Sequence, residues 1–155
     1  MSVSLAATVA ELQRIGAPDE ALGVLRLGRG IGPLRTAPML IPTGRAWRLG
    51  VVLVDEHGGI YATGEVTRAI EPLIAVTNRS AEAERKRELR RMAARGPFAE
   101  GDTINVDFTP LSLDDPADPL SRDGDEVLVR LPSGSRVPLE RYLADRVAIV
   151  AEGLL

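Results

Sequence analysis

The chain has no cysteine, and only one lysine and one histidine among its 155 residues. Without cysteine there is no disulfide, no zinc–thiolate site, no iron–sulfur cluster and no thiol nucleophile. A single histidine excludes the helical His-Glu-x-x-His zinc pattern, which needs two imidazoles one turn apart. Aromatic residues are scarce: Trp47, Tyr61, Phe98, Phe108 and Tyr142 are all there are. The core is therefore expected to be aliphatic, and a stacking platform for single-stranded nucleic acid, which needs several exposed rings, is disfavoured. No apolar run approaches the ~20 residues that span a bilayer. The N-terminus "MSVSLAATVAELQRIG" has no basic leader and reaches Glu11 early. The sequence reads as cytoplasmic, with no membrane partner.

What is present is an ordinary globular composition, 45% hydrophobic and 26% charged, in a length that suits one domain with a real core. The net charge of −3 is unevenly spread. Residues 79–95 carry seven basic and three acidic side chains, whereas residues 99–126 carry nine acidic side chains against Arg122. Such bipolarity steers self-association or neutralises neighbouring elements. Eighteen of the nineteen cationic side chains are arginine, a bias typical of GC-rich coding, so arginine content alone says little about function.

Along the chain, "LAATVAELQRIG" and "APDEALGVLRLG" read as two N-terminal helices, the second opened by Pro18 and two acids. "RGIGPLRTAPMLIPTG" reads as an extended connection lying over the core through Leu34, Met39 and Ile41. "WRLGVVLVDEHGGIYATGEVTRAI" gives a hairpin around "DEHGG", with strands at Val51–Val54 and Ile60–Val66 and Gly64 as a bulge or close approach. A charged helix follows over 79–95, capped by Asn78 or Ser80 and ended by Gly96 and Pro97. "DTINVDF" alternates as a half-buried strand, with Asn105 and Asp107 on the wet face. Residues 113–126 read as a flexible acidic loop. "EVLVRLPSGSRVPL" gives a further strand and turn, and a C-terminal helix begins near Leu139, with 146–151 readable as helix or strand. The expectation is a single α+β domain over 1–155, a helical and extended segment at 1–42 leading into a core at 43–155. It has a mainly antiparallel sheet of about four strands, with the Arg-rich helix packed on one face.

That helix places Ala81, Leu89, Met92 and Ala93 on one arc and Arg79, Lys86, Arg87, Arg90, Arg91 and Arg95 opposite. Two readings stay open. Arg87, Arg90, Arg91 and Arg95 form a phosphate-binding face; or the face is solvated and threaded with ion pairs from Glu82 to Lys86, Glu84 to Arg87 and Glu88 to Arg91. Arg85 lies inside the apolar arc and is expected to snorkel over the core edge, with a buried ion pair as the alternative.

Other constellations give weaker signals. His57 sits beside Asp55 and Glu56 in a turn, and Asp107 with Arg45 or Arg48 is a mixed set able to line a pocket. Aligning Gly124 with the glycine of a calcium loop puts Pro119 and Arg130 at ligand positions, so the pattern fails and leaves Asp123 and Asp125 as a casual cation site at most. "GRGIGP" has Pro33 where a dinucleotide fingerprint needs its third glycine. No metal site, cofactor or catalytic residue is assigned.

The stretch "TGRAWRLGVVLVDEHGGIYATGEVTRAIEP", the charged helix and "EGDTINVDFTPL" resemble a group of short uncharacterised actinobacterial proteins. Residues 43–108, and more loosely 137–147, carry the likeness. Some members bear the label glutaminase, so the resemblance implies kinship with that label attached. Serine-dependent glutaminases need a Ser-x-x-Lys pair, but Ala83 stands three before Lys86, the only lysine. The leading expectation is a non-enzymatic module that binds a protein partner or itself. Nucleic-acid binding through the helix is one alternative; a small hydrolase with a carboxylate site near Asp55, His57 and Asp107 is the other.

Overall fold

The computed structural model describes residues 5–72 and 80–155. In chain order its elements are α1 (Leu5–Arg14), β1 (Glu20–Arg26), a 3-10 turn (Gly32–Leu34), β2 (Met39–Leu49), β3 (Val52–Asp55), β4 (Ile60–Ala62), β5 (Glu65–Arg68), α2 (Ala81–Arg95), β6 (Thr103–Val106), β7 (Thr109–Leu111), β8 (Leu120–Asp123), β9 (Glu126–Arg130), β10 (Arg136–Pro138) and α3 (Leu139–Gly153). The α+β class stands, but the sheet is larger than expected. Seven strands run in the order β5-β6-β1-β2-β3-β4-β7, and a second sheet of three runs β10-β9-β8. Pairing is mainly antiparallel, with β1 and β6 parallel.

The chain packs as two compact units. The first takes Met1–Asp19, Arg45–Thr63 and Phe108–Leu155; the second takes Glu20–Gly44 and Gly64–Asp107. In the first unit α3 packs on α1, β9 and β10. Its core is aliphatic: Leu12, Leu49, Val52, Val54, Val129, Leu139 and Leu143 are essentially inaccessible. Two polar ties hold the ends in place. Trp47 Nε1 donates to the Ala17 carbonyl at 3.1 Å, and the buried Tyr142 hydroxyl donates to Leu49 O at 3.0 Å while accepting from Val51 N at 2.9 Å. Helix α3 continues through 146–151, because Val147 and Leu143 share its buried stripe.

In the second unit α2 lies against β5, and Leu40, Met92, Ala93, Ile104 and Val106 form the core. Ser80 caps α2, its Oγ accepting from Ala83 N at 3.2 Å; Asn78, the other expected cap, lies outside the described residues, as does Arg79. Gly96 ends the helix in extended backbone, and its lack of a side chain is required because a Cβ there falls 2.0 Å from Leu40 O.

Four expectations are corrected. The second N-terminal helix is strand β1: Ala21, Leu22 and Gly23 are consecutively buried, as in a strand covered on both faces, and a helical reading cannot be told from that by an apolar run of this length. Asn105 is fully buried, not wet; its Nδ2 donates to Glu20 Oε1 at 3.0 Å and Ala21 O at 3.2 Å. The run Ile60–Val66 is two strands, β4 pairing with β7 and β5 with β6. The break falls at Gly64, where a Cβ lies 2.4 Å from Asp107 O. The acidic stretch 113–126 is not wholly irregular, since β8 pairs with β9 across a turn at Gly124 with φ of 62°. "DGDE" is a hairpin signal hidden by the surrounding charge. Missing β1, β2, β7, β8 and β10, and reading β4 and β5 as one strand, accounts for the low strand count.

Candidate interaction site

The cations of α2 other than Arg90 are answered from within their own unit. Glu84 pairs with Arg87, Glu88 with Arg91 at 3.1 Å, and Glu82 with Lys86 at 3.4 Å, the three pairs that the spacing foretold. Arg87, assigned to the outer face, keeps its side chain only 12% exposed. Arg95 donates to Pro38 O at 2.9 Å and lies 3.6 Å from Glu88. Arg85 reaches past the helix to Glu65 on β5 at 2.5 Å. Arg90 is placed differently: with Lys86 and Arg68 it borders a hollow of about 220 Å³ over Thr67 and Leu89. The four sequence candidates are thus one face in the sequence but two environments in the structure.

The acid-bearing turn of the first unit is satisfied too. Asp55 Oδ1 accepts from the amides of His57 and Gly59, each at 2.8 Å, and Oδ2 accepts from the Tyr61 hydroxyl at 2.5 Å. Burial works against ionisation of Asp55, but the Tyr61 hydroxyl and the two amides outweigh it and hold the carboxyl below its ordinary value. The same bond, helped by burial and the carboxylate charge, pushes Tyr61 up to about 12. The Tyr61 ring meets Phe108 edge-on at 5.6 Å. This is hairpin architecture, an acid tying its own turn. His57 is mostly exposed, 3.4 Å from Glu56. Asp107 falls in the other unit, at the end of β6, in a left-handed conformation with φ of 58°. Arg45 is bound by Asp19 at 2.8 Å. Asp123 and Asp125 flank the β8–β9 turn, and among the described residues no three acidic or imidazole groups gather to hold a metal ion.

The segment joining β1 to β2 gives the largest departure from expectation. Leu34 does not lie over the core; it is 84% exposed, and Ile31 is 89% exposed. Leu27 and Leu25 are exposed beside them. This is not slack chain. Thr36 N donates to Arg29 O at 2.7 Å and Arg29 N to Thr36 Oγ1 at 2.9 Å, closing the base; Leu34 N and Arg35 N donate to Ile31 O and Gly32 O, forming the tip. Glycine is required twice. A Cβ on Gly28 falls 1.8 Å from Thr36 O, and Gly30, at φ of 102°, leaves only 2.6 Å to Leu34 O. The glycines that failed as a nucleotide fingerprint therefore serve to shape a closed loop that carries aliphatic side chains into water.

Charge completes the picture of this arm. From Ala21 to Val54 the sequence holds five arginines and no acid, and Arg26, Arg29 and Arg35 sit exposed among the four aliphatics. The sequence signal was available: alternating Leu, Ile, Arg and Gly over twelve residues without a carboxylate. It runs against the rule that apolar residues default to the core. Comparison with protein-family models, with curated proteins and with solved structures finds no match to this chain. Among the described residues no helix is long and apolar enough to cross a membrane.

Proposed function

We propose that the protein is a non-catalytic module that associates with itself through the β1–β2 arm. The observation that carries this reading is the pair Ile31 and Leu34, almost fully exposed on a hydrogen-bonded loop. A preformed loop displaying aliphatic side chains loses little conformational entropy on docking, which is the condition for an economical contact. Exposed aliphatic clusters rimmed by charge mark interaction sites. A second copy is the partner because the chain supplies its own counter-charge. The arm is wholly cationic, and residues 99–126 carry nine acids against one arginine.

Sedimentation velocity between ~1 and ~100 µM tests it. Each fully buried aliphatic side chain contributes about 1.5–3 kcal/mol, offset by the cost of association, so the expected Kd is on the order of 10 µM. Sedimentation rises with concentration for the natural chain and stays monomeric for Ile31→Asp combined with Leu34→Asp. A natural chain that is monomeric throughout, or a double variant that associates equally, removes the reading.

The hollow bordered by Arg68, Lys86 and Arg90 supports a second reading, nucleic-acid phosphate contact, with Arg87, Arg91 and Arg95 recruited by exchanging their glutamate partners. Anisotropy of labelled duplex DNA and single-stranded RNA at ~50 and ~200 mM salt checks it. Binding that weakens by orders of magnitude between the two supports it, and no binding at the lower salt ends it.

A further inference from the structure

The first unit contains a groove of about 660 Å³, independent of the arm, in the size range of small-molecule sites. Val51, Leu131, Pro132 and Val137 give it apolar walls, and Arg141 and Arg146 of α3 stand at its edge. The floor is fixed without any ligand. Tyr142, with its hydroxyl engaged by Leu49 O and Val51 N, cannot swing aside. Gly50 must be glycine there: at φ of 67°, a Cβ would lie 1.9 Å from that hydroxyl and about 3.0 Å from Arg146 Nε.

Arg146 is the unusual member. The residue as a whole is half-buried, with its guanidinium over bare Gly50 and 5.9 Å from the centre of the Tyr142 ring. Among the described residues no carboxylate pairs with it. Asp145, the only acid lining the groove, approaches Arg141, and only to 4.0 Å. Two guanidiniums therefore face one loosely held carboxylate beside an apolar wall. A partly desolvated guanidinium held by a ring and a glycine keeps its donors unspent, and its planar fork matches a carboxylate in two parallel bonds.

We propose that this groove binds a small organic monoanion, its carboxylate seated on Arg146 and its apolar body lying along Val51, Leu131 and Val137. Arg141, the more exposed of the two arginines, closes over the charged end. An anion is favoured over a neutral ligand because the groove has an excess positive charge, and a monoanion over a polyanion because only one guanidinium is held in place.

The test uses the full chain titrated with phenylacetate, 4-phenylbutyrate and octanoate, each against its matched neutral amide, by calorimetry. The expected result is saturable binding of at least one acid with a Kd between ~10 µM and ~1 mM, and at least ~10-fold weaker binding of its amide. Arg146→Gln should lose ~10-fold or more for the acid while leaving amide binding unchanged, and Arg141→Gln should lose less. Methyl chemical shifts of Val51, Leu131 and Val137 in the natural chain give a second readout that needs no variant. No saturation by any acid up to ~10 mM, equal binding of acid and amide, or shifts confined to methyls outside the groove would each overturn the proposal.

Discussion

Two arginine-rich regions of the same compact unit have opposite characters. Helix α2 has the higher density of charge, yet Glu84, Glu88, Glu82 and Glu65 answer all its cations but Arg90 at short range. The β1–β2 arm has three arginines and no acid within reach of its own sequence, and it places Ile31 and Leu34 among them. A run of cations draws the eye in a sequence, but what marks a contact surface is charge and apolar area left unanswered by the fold. The Asp55 turn shows the same rule from the acidic side: its carboxylate takes three hydrogen bonds at 2.8 Å or less from its own hairpin.

Breaking an answered charge should cost stability, and the largest effect belongs there. Asp55→Ala removes a partly buried carboxylate and orphans three donors, and should destabilise the fold by about 2–3 kcal/mol at pH 7 in urea unfolding. The sign with pH follows from the depressed folded-state value of Asp55. Its contribution is full above the unfolded carboxylate value near ~4 and is lost as pH falls through the folded value, so the gap between natural chain and variant should shrink below about pH 4. Tyr61 works in the other direction: its contribution is full below the unfolded value near ~10 and is lost as pH rises towards about 12. A gap that stays constant across the acid range would mean the turn is held by packing instead.

Breaking an unanswered surface should cost association and leave stability alone. Ile31→Asp with Leu34→Asp should weaken self-association at least ~100-fold, about 2.7 kcal/mol, with unfolding shifted by less than ~0.5 kcal/mol because both side chains are already in water. Gly30→Ala should do both in moderation. Its left-handed backbone resists a side chain, so about 1–2 kcal/mol of loop stability is lost and association weakens with it. The smallest effect sharpens the comparison from the helix side. Glu88→Gln releases Arg91 and Arg95 at a cost of roughly 0.5 kcal/mol, and should raise DNA affinity several-fold at ~50 mM salt without altering self-association. If charge reversal on α2, such as Arg91→Glu, abolished association instead, the contrast between helix and arm would fail.

The class of the fold, α2 with its internal ion pairs, the "DEHGG" hairpin and α3 were legible because each rests on local physics: periodicity, caps, turn glycines and side-chain spacing. What was not legible depended on long-range partners. Strand β1 looks helical until β6 is placed beside it, covering Ala21 and Leu22. Asn105 looks wet until Glu20 and Ala21 O claim its amide. The arm departs from the sequence for the opposite reason: the chemistry of Leu34 points to a core, yet its side chain is left in water. Arg146 carried no sequence signal, since its setting depends on Gly50, almost a hundred residues earlier.

Hydrogen exchange measured at ~1 and ~100 µM tests the central claim most directly, because it reads arm and helix in one experiment. The account predicts that amides of residues 27–36 gain protection at the higher concentration while those of 81–95 stay unchanged. Concentration-dependent protection in α2 with none in the arm would contradict it.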